Sequence, residues 1–102
     1  MEKTLNNKSA KELFKAITAL KTEQECKKFM RDLCTLAEIK EMAERWQVAK
    51  QVKKGLPYRN ISKTTGVSTA TITRVAHWLN HGMGGYQLVL HRLKTIQHRQ
   101  TV

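Results

Sequence analysis

Between Ser68 and Thr73 the chain reads STATIT, with hydroxyls at Ser68, Thr69, Thr71 and Thr73 and no acidic residue anywhere after Glu44. Hydroxyls in such a cluster can act as nucleophiles, or they can hydrogen-bond to bases and phosphates. The first use needs a general base within reach, and no nucleophile and base pair stands out in this chain, so an enzyme has no positive support. The second needs an exposed surface and a polyanion to face it. His77 and His81, four residues apart, share one helical face and could in principle chelate a metal. No third ligand is evident and no Glu lies between them, so no metal is expected; they read as exposed histidines near a helix end, with His81 close to phosphate. Trp46 and Trp78 could stack on bases, but Trp46 lies on an apolar stripe and is expected in the core.

The cluster itself presents a conflict. Thr69, Thr71, Ile72, Thr73 and Val75 are β-branched and favour strands, yet Ile72, Val75, Ala76 and Leu79 recur at the spacing of one helical face. Nothing else in the chain reads as a strand that could pair with it. The segment is therefore expected to be a helix over 69–80, N-capped by Ser68, with its low propensity offset by packing. Thr69, Ala70, Thr71 and Thr73 then fall on its exposed side. Before it, Pro57 suits the first position of a short helix over 57–65 with Ile61 facing inward, and Gly66 ends that helix. Helix, glycine turn, helix is the helix-turn-helix arrangement, whose second helix presents its N-terminal residues to base edges in the major groove. Hydroxyls there can bond to bases or phosphates, and their methyls can touch thymine.

The elements that carry this pair are marked by three capping boxes: SAKE from Ser9, TEQE from Thr22 and TLAE from Thr35. They predict helices over 9–20, 23–33 and 36–54. Their apolar faces are Leu13, Phe14, Ile17 and Leu20, then Cys26, Phe29, Met30 and Leu33, then Leu36, Ile39, Ala43, Trp46, Ala49 and Val52. Gly55 closes the third as a C′ residue. A last helix over 84–97 carries Leu88, Val89, Leu90, Leu93 and Ile96. Those three capping boxes each place Glu at the third helical position, whereas the helix after Ser68 has Thr71 there. That absence leaves its positive N-terminal end free for an anion.

Charge supports a polyanionic partner. The 102 residues carry a net charge of +11. Nine basic and eight acidic residues precede Arg45, whereas ten basic residues and no acidic one follow from Arg45 onward. Double-stranded DNA is the expected partner, with Lys54, Arg59, Lys63 and Arg74 beside the hydroxyl cluster. A membrane partner is not expected, since no helix combines a basic face with a wide apolar one. No apolar run has transmembrane or signal-peptide character, and the expected location is the cytoplasm. Cys26 and Cys34 match neither a CxxC redox motif nor a zinc knuckle and are read as core thiols. A chain this short makes one domain, 1–102, and buries only about two-thirds of its unfolded surface, so a homodimer is expected. The function expected is a sequence-specific regulator. The alternative is a non-specific or architectural nucleic-acid binder, which would place Lys or Arg along 69–73.

GVSTATITRV, following ERWQVAKQVKKG, resembles the Trp repressor family, and CTLAEIKEMAERWQVA is similar to its YerC/YecD-type subgroup. The resemblance covers most of the chain. It implies an all-α, six-helix, interlocked homodimer whose fourth and fifth helices form the DNA-reading head. In the Trp repressors the corepressor indole lies between two arginines, which correspond to Arg45 and Arg74, with Thr35 matching a residue at the pocket edge. The glycine that follows the second arginine is replaced by Val75, and a small pocket-lining serine one turn on by Trp78. The candidate effector pocket is therefore Thr35, Arg45, Arg74, Val75 and Trp78. Val75 and Trp78 are expected to fill it from within, so that tryptophan is not the corepressor and no cofactor is required. A smaller or differently shaped effector clamped by the same arginines is the alternative.

Overall fold

The computed structural model describes the backbone of residues 2–100 and the side chains of residues 3–94. All regular structure among them is helical: α1 Glu2–Asn6, α2 Lys8–Thr18, α3 Glu23–Leu33, α4 Leu36–Lys53, α5 Tyr58–Thr65, α6 Thr69–His81 and α7 Gly85–Gln100. The expected all-α class and the helical boundaries hold to within a few residues, with the short α1 as an added element. The chain divides into two compact units, Met1–Ile39 and Lys40–Val102, with the boundary in the first turn of α4.

In the first unit the capping boxes form to different degrees. At Thr35 the box is reciprocal: the Glu38 amide donates to Thr35 Oγ1 at 3.1 Å, and the Thr35 amide donates to Glu38 Oε1 at 2.8 Å. Hydrogen bonding of the Glu38 carboxyl to the Thr35 amide foremost, and then to the Thr35 side chain, holds that carboxyl below its ordinary value. At Thr22 the hydroxyl accepts the Glu25 amide at 3.1 Å, while Glu25 Oε1 accepts from Lys21, one residue before the cap. The box expected at Ser9 does not form. Asn7 caps α2 instead, its side chain accepting the Ala10 amide at 2.8 Å. Asn and Ser are near-equal N-caps, and capping at Asn7 starts α2 one residue before Ser9 and ends α1.

No residue of α2 or α3 is buried. Phe14, Ile17 and Leu33 are exposed, although they lie on well-formed apolar faces. Cys26 is exposed and Cys34 half-buried, so neither is the core thiol expected. Cys26 lies on the apolar face of α3, which this chain leaves exposed, and Cys34 is the C-cap of that helix.

The second unit has a true core. Val48 and Ala49 of α4, Ile61 of α5, Val67 of the turn, and Ile72 and Val75 of α6 are buried together, with Val52 and Tyr86 packed against them. Val48 lies off the stripe that the sequence pattern marked on α4. Trp46, expected in the core, is half-buried and stacks on Tyr86 with ring centroids 6.3 Å apart. Two of the helix ends need glycine. Gly55, at φ 81°, closes α4 in a Schellman pattern, its amide bonded to Val52 O and the Leu56 amide to Gln51 O. Gly66, at φ 74°, closes α5. Pro57 is the N-cap of α5 and not its first helical residue, its carbonyl accepting the Ile61 amide. Gly84, expected as the first residue of the last helix, likewise precedes α7. Ile96 lies outside the described side chains.

Packing settles the conflict in the threonine-rich segment. Five β-branched residues cost about 0.5 kcal/mol each relative to Ala in a helix. Burial of Ile72, Val75 and Leu79, all at most 4 % exposed, returns about 1.5 to 3 kcal/mol each. The helix wins by a wide margin.

Candidate nucleic-acid interface and adjoining cavity

The turn between α5 and α6 is short, Gly66 to Ser68, and it is pinned from both sides. Ser62 Oγ donates to Val67 O at 2.7 Å, and the Val67 amide donates to Thr65 Oγ1 at 3.2 Å. Thr64 Oγ1 donates to Gln51 Oε1 at 3.1 Å, tying α5 to α4. Val67 and Ile61 are buried at this junction, so the two helices are held as one body. Ser68 caps α6 as expected, its hydroxyl accepting the Thr71 amide at 3.2 Å. Gln87 Nε2 donates to Leu79 O at 3.1 Å and joins α7 to the far end of α6.

On this frame Ser68, Thr69, Ala70, Thr73 and Arg74 are exposed, while Thr71 is half-buried. Lys54, Arg59 and Lys63 are exposed on α4's end and α5. The first turn of α6 contains no acidic residue. The result is an uncharged hydroxyl and methyl surface at a helix N-terminus, accompanied by flexible cations. Such a surface can meet both base edges and phosphates. His77 and His81 are exposed, with ring centroids 5.2 Å apart.

Beside this surface lies a cavity of about 680 Å³ whose walls include Arg45, Arg74, Val75 and Trp78. Four of the five residues expected around an effector pocket are thus brought together. Thr35 is not among the lining residues; it belongs to the first unit, where its hydroxyl caps α4. Val75 and Trp78, expected to fill this space, both line it. Val75 is turned into the core at 3 % exposure, whereas Trp78 is 48 % exposed and forms a wall of an open cavity. Trp78 directly precedes Leu79, and one residue is a rotation of about 100°, which carries its ring to the margin of the buried face. Trp78 and Tyr86 also border an apolar depression of about 550 Å³ with Trp46, Met83 and Val89.

Sequence reading missed Glu41, Glu44 and Tyr86 in the first cavity wall. Glu41 lies four residues before Arg45, a spacing that puts both on one helical face, and this was the available signal. Tyr86 reaches the site through tertiary packing alone. Among the described residues neither the Arg45 nor the Arg74 guanidinium has an ion-pair or hydrogen-bond partner, while Glu44 is 3.8 Å from Lys40.

An all-helical chain with α5, a pinned glycine turn and α6 against α4 is a helix-turn-helix protein. The sequence profile described as "Trp repressor protein" matches residues 8–94. The chain belongs to the Trp repressor family. It is 43 % identical over 90 residues to the uncharacterized protein YerC of Bacillus subtilis (strain 168), covering 88 % of this chain and 86 % of that one. A TrpR-like protein from Eubacterium eligens has a solved structure that superposes with a TM-score of 0.86 at 41 % identity, over 89 % of this chain and 94 % of the other. A Trp repressor candidate from Staphylococcus aureus gives 0.84, also at 41 % identity, over 90 % and 92 %. Among the described residues no helix is long and apolar enough to cross a membrane.

Proposed function

We propose that the chain is a transcriptional regulator, acting as a repressor in the cytoplasm, that binds a palindromic operator in double-stranded DNA as a homodimer. In this reading α6 enters the major groove and α5 lies against the backbone. The observation that carries it is the exposed start of α6: Thr69, Ala70 and Thr73 on a capped helix end without a carboxylate. Lys54, Arg59, Lys63 and Arg74 contribute the phosphate contacts that position it. A binder that needed only phosphates would have basic residues where Thr69 to Thr73 stand, which favours sequence-specific recognition over an architectural role.

The uncovered apolar faces support the homodimer. Phe14, Ile17 and Leu33 on α2 and α3, with Leu88, Val89 and Leu93 on α7, are all more than 40 % exposed, and exposed apolar patches of this kind mark association surfaces. Two-fold symmetry then sets half-sites about one helical turn, ~34 Å, apart. Operator binding is proposed to need no tryptophan. Trp78 places an indole on the wall of the cavity, and Val75 stands where the Trp repressors have glycine. An effector entering the remaining space would meet the guanidiniums of Arg45 and Arg74 and the carboxylates of Glu41 and Glu44.

Selection from a random duplex library, followed by sedimentation of the protein with the enriched duplex, tests this function. The expected outcome is a two-fold symmetric sequence bound by one dimer. A folded monomer at micromolar concentration would remove the basis for palindrome recognition.

A further inference from the structure

Two threonines on α6 use their hydroxyl protons differently. Thr73 Oγ1 donates to Thr69 O, one turn earlier, at 3.0 Å. A threonine hydroxyl has a single proton and two lone pairs, so Thr73, which is exposed, offers outward only acceptor lone pairs and its γ-methyl. At Thr71 the arrangement is reversed. Ser68 Oγ donates to Thr71 Oγ1 at 3.1 Å, which leaves the Thr71 proton unused within the helix.

We propose that Thr73 is a specificity-determining residue that acts as a hydrogen-bond acceptor and selects a base carrying an exocyclic amino group, adenine N6 or cytosine N4, in the major groove. This rests on the operator-binding reading above. In that groove the amino groups of adenine and cytosine are the base donors, whereas guanine O6 and N7 and thymine O4 are acceptors. Helical threonine divides between two rotamers, and the bond to Thr69 O selects one of them. To donate to guanine or thymine, Thr73 would first have to release that bond. The γ-methyl beside the oxygen matches an A·T pair further, because that pair shows the amino group and the thymine methyl together.

The test uses the full-length protein and its selected operator. Each adenine in the contacted half-site is replaced in turn by unsubstituted purine, and each cytosine by pyrimidin-2-one, so that only the amino group is lost. Wild-type protein is expected to lose about tenfold in affinity at one position, and its identity distinguishes adenine from cytosine. Thr73→Val, which keeps the shape and removes the acceptor, is expected to lose a similar factor on the natural site and to be indifferent to the amino group at that position. Thr71→Val is expected to remain sensitive to it. Equal amino-group penalties for wild type and Thr73→Val would overturn the proposal while leaving operator recognition standing. Failure to enrich any sequence would overturn operator recognition and the proposal together. Unchanged helical circular dichroism for Thr73→Val excludes unfolding as the cause of its loss.

Discussion

The Ser68 hydroxyl accepts the Thr71 amide at 3.2 Å and donates to the Thr71 hydroxyl at 3.1 Å, so one side chain both caps α6 and orients a neighbouring hydroxyl of the surface proposed to meet DNA. Capping and DNA binding can be separated at this position. Ser68→Ala should cost about 1 kcal/mol of stability, read by urea unfolding. Ser68→Asp should keep the cap, because Asp and Ser are comparable N-caps. It should nevertheless weaken DNA binding strongly, since it adds a carboxylate to a helix start whose first turn has none.

Residues that specify and residues that position should respond differently to sequence and salt. Thr71→Ala and Thr73→Ala should each cost roughly 1 to 3 kcal/mol on the selected operator and little on random DNA. Arg59→Ala and Lys63→Ala should weaken both DNAs alike and make the salt dependence shallower by about one unit of slope each. Fluorescence anisotropy titrations at several salt concentrations measure both. Equal losses on both DNAs for the threonine variants would show that α6 does not read bases.

The reciprocal box at the start of α4 gives a pH dependence of defined sign. Hydrogen bonds from Thr35 lower the Glu38 pKa. The ionised box therefore stabilises α4's first turn above the ordinary carboxylate range, and that contribution is lost as pH falls through the lowered value. The Thr35 amide resonance should follow this titration in wild type and lose it in Glu38→Gln. A Thr35 amide that titrates identically in the variant would assign the effect to another group.

Free L-tryptophan should give no saturable heat with the protein and should leave operator affinity unchanged. The reasons are the Val75 and Trp78 side chains on the cavity wall, where the Trp repressors have small residues, and the Glu41 and Glu44 carboxylates lining the same cavity, which oppose the ligand's carboxylate. Calorimetry followed by operator titration with and without the amino acid decides this. Saturable binding that raises DNA affinity about tenfold or more, a coupling typical of corepressors, would restore tryptophan as the effector.

What local sequence could tell depended on how local the determining contact was. Gly66, Ser68 and the Ile72, Val75, Leu79 face are fixed by bonds within a turn or by helical period, and they were legible. So were the exposed Thr69, Ala70 and Thr73, as the opposite face of that same helix. The start of α2 was not, because Asn7 and Ser9 are near-equal caps and nothing local chooses between them. The exposure of Trp78 is not legible locally, because it turns on which side of the core margin of α6 the ring falls. The apolar faces of α2, α3 and α7 were read correctly as apolar, but which surface covers them is a property of association and not of any one helix.

The most direct test of sequence-specific recognition through α6 is the ratio of affinities for the selected palindromic operator and for random duplex of equal length, measured at physiological salt. A regulator that reads bases through Thr69 to Thr73 should bind the operator ~10³-fold or more tightly. A ratio below about tenfold would contradict it and leave a protein held to DNA by charge alone.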